Sequence, residues 1–437
     1  MTLLDLTVPR PRSSRLDGLP IAIIGAGPIG LAAAAELLER GLDFAIYEAG
    51  EKAGDAVASW GHIRLFSPWR QLVDPAARRL LVAAGWREPA PEALPTGADL
   101  VSEYLAPLAA LPEIASRLVT GAAVVGVSRE GMDRTRSTGR AATPFLLRLS
   151  TADGVEEVTA RAVIDASGTY RTPNSLGSSG LDPLGIEDVR DRITSAMPDV
   201  HGAERQRFAG RRVAVVGAGH SAAGTLLNLA ALAEEEPGTE VVWVIRNASA
   251  VRIRTSADDE LQVRASLGSR LDALVERGAI KRVDGFEIVR LGKTADGRVE
   301  VVGRRGNGLE RIEVDVVVNA TGFRPDLDML REVRLELDEI VEAPKRLAPL
   351  IDPNVHTCGT VEPHGFAELQ QPEPDFFLAG MKSYGRAPTF LLATGYEQVR
   401  SIVAWLAGDA AAARDVRLTL PATGVCSTNP SGGSSCC

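Results

Sequence analysis

The sequence predicts an α/β chain built from two related halves. A short apolar strand, Ile21–Ile24, leads into the glycine-rich turn GAGPIG, a helix-forming segment with an apolar face, and a second apolar strand in DFAIYE. The same order returns from residue 211, where RRVAVV leads into GAGHSA, a helical segment and EVVWVIR. Each copy continues with short strands of alternating polarity and ends in a similar phrase, AVIDASG or DVVVNATG. Such a repeat is typical of two Rossmann-like dinucleotide-binding domains in series.

The order of these segments predicts that the second domain is inserted into the first. We expect residues 1–174 and 327–420 to form the two parts of the first domain and residues 175–326 to form the second. The last section holds an apolar strand in DFFLAG and a predicted helix from Pro388 to about Leu406. Residues 421–437 are rich in Ser and Gly and bury too little apolar surface to fold alone, so we expect a flexible cysteine-containing tail.

Composition excludes several classes of protein. The 437 residues are 45% hydrophobic and 24% charged, as in ordinary globular proteins. A net charge of −9 without a long basic run argues against a nucleic-acid partner, and no apolar run approaches the ~18 residues of a membrane span. The first residues lack the pattern of a secretory signal, and four cysteines are too few for a disulfide framework. We therefore expect a cytoplasmic protein without nucleic-acid or membrane partners.

The first glycine turn has the features of a site for the pyrophosphate of a dinucleotide. Gly25 permits the tight turn, Gly27 lets the backbone approach the phosphates, and Gly30 lets helix and sheet pack closely. Pro28 stands at the expected start of the helix, where its missing N–H costs nothing. Glu48 ends the next strand and is expected to accept hydrogen bonds from the ribose hydroxyls of an adenosine. The alternative is a glycine-rich turn with a structural role only.

The second glycine turn, with Gly217, Gly219 and Ser221, predicts a site for a different dinucleotide. Arginines stand at and after the end of the following strand, where the first copy has its acid: Arg246, Arg252 and Arg254. An arginine there can hold a 2′-phosphate with two charge-assisted hydrogen bonds, whereas an acid would repel it. We therefore expect NADPH rather than NADH, and the alternative is that these arginines are solvated surface charges.

Two nucleotide folds, the second inserted into the first, imply a flavin that receives a hydride from a pyridine nucleotide. The first domain is then predicted to hold FAD permanently, while NADP(H) exchanges at the second domain. The sequence therefore predicts a flavoenzyme that passes electrons from NADPH to a further acceptor.

Over nearly all of its length the chain resembles flavoproteins with two dinucleotide-binding domains, and within them flavin-containing monooxygenases and Baeyer–Villiger enzymes. The segments GAGPIG, ASGTYRTPN, VAVVGAGHSA and VVNATGFRPD carry the resemblance, as does VASWGHIRLFSPW around Trp60. The fingerprint F-x-G-x-x-x-H of those enzymes is incomplete here, because His201 is present without the leading F-x-G. The resemblance adds Trp60, Gly168, Gly322 and Gly380 to the residues expected at the cofactors.

The C-terminal region resembles flavin monooxygenases of arsenic-resistance systems, on the segments GVCSTNPSGGSSCC, NVHTCGTVEPHG and GMKSYGRAPTFLLATGYEQVRS. The resemblance implies oxidation of a trivalent arsenical such as methylarsenite by NADPH, FAD and O2, through a C4a-hydroperoxyflavin. Because soft metalloids prefer thiolate ligands, Cys358, Cys426, Cys436 and Cys437 are candidates for capturing the arsenical. The alternatives are a redox-sensitive end of the chain and, for Cys358, a small buried hydrophobe.

His356 and His364 flank the internal cysteine and are expected either to bind a metal or move a proton, or to have a structural hydrogen-bonded role. Arg386 is expected to balance negative charge on the reduced flavin or to bind substrate, and the alternative is a phosphate or surface contact. The N-terminal dipole of the helix predicted from Pro388 would favour the same negative charge. The candidate catalytic residues are therefore Cys358, His356 and Arg386.

Three function classes remain open at this point. The favoured class is an NADPH-dependent FAD monooxygenase acting on a soft nucleophile in a small-molecule substrate. The second is a flavin-dependent oxidoreductase that passes electrons to a quinone, a protein or a sulfur- or nitrogen-containing small molecule. The third is a metalloid-binding or sensing protein without turnover. A disulfide reductase is disfavoured, because no closely spaced cysteine pair of the kind that contacts a flavin occurs.

Overall fold

The computed structural model describes residues 14–247, 267–351, 361, 364–387 and 390–417. These residues form two compact units. One unit takes the described residues of 14–171 and 324–417, and the other takes those of 172–323. The second unit is therefore inserted, in chain order, between two segments of the first.

The strands of the described residues, in chain order, are β1 (Ile21–Ile24), β2 (Phe44–Tyr47), β3 (Leu118–Val119), β4 (Ala123–Arg129), β5 (Phe145–Thr151), β6 (Gly154–Ala160), β7 (Ala162–Asp165), β8 (Ile193–Ser195), β9 (Arg212–Val216), β10 (Glu240–Val244), β11 (Ile280–Val283), β12 (Glu287–Lys293), β13 (Val299–Arg305), β14 (Gly308–Val314), β15 (Val316–Asn319) and β16 (Phe376–Leu378). The α-helices are α1 (Pro28–Glu39), α2 (Asp55–Ala58), α3 (Pro75–Ala83), α4 (Gly97–Leu100), α5 (Ala106–Ala109), α6 (Pro112–Ala115), α7 (Arg205–Phe208), α8 (His220–Glu235), α9 (Leu267–Glu276), α10 (Ala348–Ile351), α11 (Phe366–Leu369), α12 (Leu392–Leu406) and α13 (Ala410–Arg414).

The first unit is organised around a parallel sheet in the order β16-β7-β1-β2-β3. In the register of this sheet, Ile24 is paired with Tyr47 on one side and with Asp165 on the other. The carboxyl ends of β1, β2 and β7 therefore meet at one edge. From β1 the chain first adds strands on the β2 side of the sheet and later on the β7 side. The crevice at the carboxyl ends of β1 and β7 is therefore a topological switch point, where α/β folds bind ligands.

Small side chains let helix α1 lie close against this sheet. Its sequence PIGLAAAAELLE is buried from Ile29 to Leu37, and four consecutive alanines present almost no bulk to the strands. Helix α12 packs alongside α1, with Val399, Ile402 and Val403 fully buried in the same apolar core. Burial of such a continuous apolar surface is the main source of the stability of the unit.

The second unit repeats this plan. Its parallel sheet has the order β11-β10-β9-β15-β8, so that β9, β10 and β15 correspond to β1, β2 and β7. Each unit also carries one antiparallel three-stranded sheet, β4-β5-β6 or β12-β13-β14. The predicted fold class, α/β with two Rossmann-like domains, is confirmed.

One predicted boundary is wrong. The last long helix begins at Leu392 rather than at Pro388, because the backbone of Leu391 is extended, with φ −107° and ψ 137°. Pro388 itself lies outside the described residues. No helix of the described residues is long and apolar enough to cross a membrane.

Candidate nucleotide-binding sites

The first glycine turn, GAGPIG, joins β1 to α1. At two of its positions there is no room for a side chain larger than that of glycine. Gly25 has a φ of +96°, and a Cβ there would lie 3.0 Å from the carbonyl oxygen of Ala166 on the adjacent chain segment. A Cβ on Gly30 would lie 1.9 Å from the carbonyl oxygen of Gly25. These two glycines therefore allow the turn and the close approach of helix and sheet, as the sequence predicts.

Gly27 differs, because a Cβ at that position would meet no atom within 4 Å. Gly27 is the N-cap of α1 and Pro28 follows it, so no side chain caps the first-turn N–H groups. These groups lack partners inside the helix and carry the positive end of the helix dipole. Open space in front of uncapped N–H groups fits the pyrophosphate of a dinucleotide.

Glu48 holds the turn in place. Its two carboxylate oxygens accept hydrogen bonds from the backbone N–H groups of Ala26 and Gly50, each at 2.7 Å. The side chain follows β2 and is nearly buried. Because each carboxylate oxygen has a further lone pair, these contacts leave Glu48 able to accept a ribose hydroxyl as well, and that role stays a prediction.

A buried ion pair lies at the switch point between β1 and β7. Lys382 Nζ lies 2.7 Å from Asp165 Oδ2, and both side chains are fully shielded from solvent. Lys382 also donates a hydrogen bond to Ser167 Oγ at 3.0 Å, and Ser167 donates to Asp165 Oδ1 at 2.7 Å. Sequence reasoning missed Asp165, although a carboxylate at the end of the otherwise apolar AVID strand is an available signal.

Gly380 belongs to a second turn that contacts the first. It has a φ of +67°, and a Cβ there would lie 2.9 Å from a side-chain carbon of Ile29. Its N–H donates to Gln398 Oε1 at 2.8 Å, so the amide nitrogen of Gln398 faces His364 Nε2 at 2.9 Å. In this arrangement Nε2 of His364 lies at hydrogen-bond distance from the amide of the buried Gln398. The structure therefore favours the structural alternative for His364.

The other residues predicted at the FAD site stand in the first unit as follows. Trp60 is half-buried against the core, and its ring would lie 2.8 Å from a Cβ on Gly97. Gly168 has a φ of +71° and no neighbour that a Cβ would meet. Arg386 has an exposed side chain, and its backbone N–H donates to the carbonyl oxygen of Val341 at 2.7 Å. A catalytic role for Arg386 stays a prediction.

The second glycine turn, GAGHSA, joins β9 to α8 with the same division of roles. A Cβ on Gly217 would lie 2.1 Å from the carbonyl oxygen of Ala320, whereas a Cβ on Gly219 would meet nothing within 4 Å. The buried Trp243 donates from Nε1 to the carbonyl oxygen of Gly217 at 2.8 Å and holds the turn. Ser221 lies in the first turn of α8 and is partly buried. This turn therefore presents an uncapped helix N-terminus to a phosphate as well.

Arg246 stands just beyond the end of β10, and its side chain is exposed. Its guanidinium donates to the carbonyl oxygen of Ser178 at 3.2 Å, which leaves other N–H groups for an anion. Gly322 has a φ of +98° after β15, at the place where Gly168 stands after β7. The second unit thus pairs an open helix N-terminus with an exposed arginine after the next strand.

Several predicted site residues lie outside the described part of the chain. They are Arg252, Arg254, His356, Cys358, Cys426, Cys436 and Cys437. Within the described residues, no group of three or more His, Cys, Asp or Glu side chains is arranged to hold a metal ion. Capture of a metalloid by the cysteines stays a prediction.

Two segments of the chain match known protein families. Residues 146–354 match the pyridine nucleotide-disulphide oxidoreductase family. Residues 23–78, which contain the first glycine turn and Glu48, match the NAD(P)-binding Rossmann-like domain. No curated protein matches the sequence.

Solved structures with the same fold include reductases and monooxygenases. Bacillithiol disulfide reductase Bdr from Bacillus cereus has a TM-score of 0.65 at 18% identity, over 89% of this chain and 98% of its own. The cadaverine monooxygenase DfoA from Erwinia amylovora has a TM-score of 0.62 at 13% identity, and the match covers 95% of this chain and 99% of DfoA. The flavin-containing monooxygenase from Stenotrophomonas maltophilia has a TM-score of 0.53 at 22% identity, and the match covers 89% of this chain and 98% of the monooxygenase.

The family matches and the two glycine turns together confirm the predicted class of enzyme. The chain is an FAD-dependent oxidoreductase that uses a pyridine nucleotide, with FAD and NAD(P)H as its cofactors. The fold is shared by disulfide reductases and monooxygenases, so the final electron acceptor has to be argued from the residues of this chain.

Proposed function

We propose that this protein is an NADPH-dependent FAD monooxygenase that oxidises a soft nucleophile. The observation that supports it is the position of the cysteines: the first 357 residues contain none. A reductase that passes electrons from a flavin to a disulfide needs a pair of thiols in contact with the flavin, and the whole described part of the first unit lacks one. Molecular oxygen needs no such pair, which favours it as the acceptor.

The proposed reaction consumes the substrate, O2, NADPH and H⁺ and yields the oxygenated substrate, water and NADP⁺. Bound FAD would supply the redox chemistry, namely hydride acceptance from NADPH and activation of O2. The chain binds and orients the cofactor. The N-terminus of α1 at Gly27 would hold the pyrophosphate, and Glu48, which keeps the turn in place, would bind the ribose. The buried Lys382–Asp165 pair stabilises the turn after β7, because Lys382 also donates a hydrogen bond to Ser167.

The choice of NADPH over NADH is proposed from Arg246. This arginine stands just beyond the end of β10, one residue past the position that corresponds to Glu48 after β2, and its side chain is exposed. An exposed guanidinium can bind the 2′-phosphate through charge-assisted hydrogen bonds. The end of β2 in the first unit is followed by the carboxylate of Glu48, which suits the ribose hydroxyls of FAD instead.

The proposed substrate is a trivalent arsenical such as methylarsenite, in which the arsenic lone pair accepts the oxygen atom. Three of the four cysteines lie within the last twelve residues, two of them adjacent. Trivalent arsenic is thiophilic, so vicinal thiolates would raise its local concentration near the enzyme. A reducing compartment such as the cytoplasm would keep these thiols free to bind.

A turnover experiment tests the proposal. Purified enzyme is expected to be yellow and to consume NADPH and O2 faster when methylarsenite is added, with formation of the pentavalent product. A chain that ends before Cys426 should keep its basal NADPH oxidation and lose mainly its efficiency at low substrate. Unchanged NADPH consumption without pentavalent product would overturn the arsenical as substrate. Rapid turnover with quinones or dyes in the absence of O2 would instead favour a flavin reductase.

A further inference from the structure

A cavity of about 300 Å³ lies in the first unit between α1, the N-terminal end of α3 and α12. Glu36 lines it, nine residues after Gly27 on the same helix. At a rise of 1.5 Å per residue the cavity is about 13 Å along the helix from the nucleotide-binding turn. The cavity is therefore separate from the glycine turn described above.

Two carboxyl groups that line the cavity have no counter-ion. Glu36 is 6% exposed and Asp74 is 1% exposed. Neither forms an ion pair with any of the residues that the structure describes, and no hydrogen bond to the Glu36 carboxylate occurs within that part of the chain. Asp74 is the N-cap of α3 and accepts a hydrogen bond from the N–H of Ala77 at 2.8 Å. Glu36 is thus a buried acid whose oxygens face the cavity without a partner.

Every arginine near these acids is already paired with another carboxylate. The pairs are Arg40 with Asp409, Arg70 with Glu92, Arg79 with Glu39, Arg400 with Glu397, and Arg417 with Asp415. The pairs of Arg79 and Arg400 use two hydrogen bonds each. Because each of these arginines already pairs with another carboxylate, none of them forms an ion pair with Glu36 or Asp74.

Burial raises the pKa of both acids above its usual range. Burial, followed by the nearby Glu39, raises the pKa of Glu36, although Arg40, Arg79 and Arg400 lower it in part. Burial raises the pKa of Asp74 to about 7, with a further contribution from Glu36. Burial likewise raises the pKa of Tyr104 and of Tyr396, so both phenols stay neutral. A bound cation would reverse the cost of ionising both acids.

The rest of the lining combines an apolar part with polar side chains, namely Gln71, Glu397 and the paired arginines Arg70, Arg79, Arg400 and Arg417. Val73, Pro75 and Ala393 face the cavity together with Tyr396. The hydroxyl of Tyr396 donates to the carbonyl oxygen of Leu72 at 2.6 Å. Its proton is therefore already used, and Tyr396 can contact a ligand through its aromatic ring. A site with two acids at one part and aliphatic or aromatic carbon at another suits a ligand with a cationic head and a short apolar chain.

We propose that this cavity binds a short primary alkylammonium ion, whose N–H groups donate to Glu36 and Asp74 and whose alkyl chain contacts Val73, Pro75 and Ala393. The ammonium supplies the missing counter-ion and several donors in one small group. A volume near 300 Å³ holds a chain of a few carbons and excludes large substrates. The site is independent of the proposed oxygenation chemistry, because it needs neither NADPH nor O2.

Titration of the FAD-loaded full-length protein with propylammonium chloride tests this proposal, and 1-propanol is the neutral control of the same size. Calorimetry at pH 8 is expected to show saturable binding of propylammonium that 1-propanol does not reproduce. Affinity should fall at pH 6, because Asp74 is then protonated while the ammonium keeps its charge. Binding near pH 7 should also release protons, which makes the measured heat depend on the ionisation enthalpy of the buffer.

Matched variants locate the site. Glu36→Gln keeps the shape of the side chain and should weaken binding about tenfold or more, the effect of losing one charge-assisted hydrogen bond. Asp74→Asn should remove the dependence on pH between 6 and 8 while it keeps the helix cap. Glu113→Gln removes the same charge from an exposed position and should bind as the wild type does. Equal affinity in Glu36→Gln, or no difference between propylammonium and propanol, would show a cavity that holds water only.

Discussion

The ammonium group of Lys382 lies 2.7 Å from the Oδ2 of Asp165, and neither side chain has any exposed surface. The two residues come from segments that are more than 200 positions apart, yet they meet directly at the carboxyl end of β7. Ser167 completes the cluster through hydrogen bonds to both. The pair therefore ties the loop after β16 to the turn that follows β7, beside the open N-terminus of α1.

Lys382→Met should destabilise the protein by about 3 kcal/mol or more, because it leaves the buried carboxylate of Asp165 without a counter-ion. Urea unfolding of the FAD-loaded variant measures this loss. The double variant Lys382→Met with Asp165→Asn should recover most of it, since no uncompensated charge remains. Lys345→Met, which breaks an exposed pair with Glu336, should cost well under 1 kcal/mol. Equal losses in the single and double variants would contradict this account of the pair.

Alanine substitutions in the first glycine turn should separate folding from cofactor binding. Gly30→Ala places a Cβ 1.9 Å from the carbonyl oxygen of Gly25 and should impair folding of the first unit. Gly27→Ala places a Cβ in open space, so the apoprotein should keep its stability while FAD binding weakens about tenfold or more, because the methyl group occupies the space of the pyrophosphate. Thermal unfolding of the apoprotein and fluorescence titration with FAD measure the two effects. Normal FAD affinity in Gly27→Ala would place the pyrophosphate elsewhere.

Arg246→Ala should raise the KM for NADPH by about ten- to a hundredfold, the effect of losing hydrogen bonds between a guanidinium and a phosphate. The KM for NADH should change little, because NADH has no 2′-phosphate. Steady-state kinetics with both nucleotides checks this prediction. Arg304→Ala removes an exposed arginine from the end of β13 and serves as the control. An equal rise in the KM for NADH and for NADPH would show that Arg246 does not bind the 2′-phosphate.

Asp74→Asn should stabilise the protein at pH 8 and do so by only about a third as much at pH 5. Burial raises the pKa of Asp74 to about 7, so the folded protein keeps a proton there that the unfolded chain releases near pH 4. The unfolded state therefore binds fewer protons between these values, and stability falls as the pH rises from about 4 to 7. Asparagine keeps the cap without this cost, which reaches up to about 4 kcal/mol at pH 8. Urea unfolding at both pH values measures the difference, and an equal effect at pH 5 and pH 8 would rule out titration of Asp74.

The sequence predicts the two βαβ units well because each depends on local features. A strictly apolar strand, a glycine turn and an alanine-rich helix suffice to place β1, α1 and β2 almost to the residue and to predict the order of their copies β9, α8 and β10. The start of α12 is predicted less well, because Pro388 is a favourable first residue for a helix while the extended backbone of Leu391 decides the actual start.

The buried charges could not be predicted from local patterns. Asp165 and Lys382 become partners only through the parallel pairing of β1, β7 and β16, which brings distant segments together. A charged residue such as Glu36 in a helical segment indicates an exposed position, but the packing of α1 against α3 and α12 buries it. His364 is similar, since only the fold brings its imidazole to within hydrogen-bond distance of the Gln398 amide.

Isotope transfer in a single turnover tests the proposed monooxygenase chemistry most directly. The enzyme is reduced with one equivalent of NADPH without oxygen and is then mixed with ¹⁸O2 and methylarsenite, and the arsenic product is analysed by mass spectrometry. Our account predicts one pentavalent product per NADPH oxidised, carrying a single ¹⁸O atom from molecular oxygen. Full reoxidation of the flavin with one hydrogen peroxide per NADPH and no labelled product would contradict it.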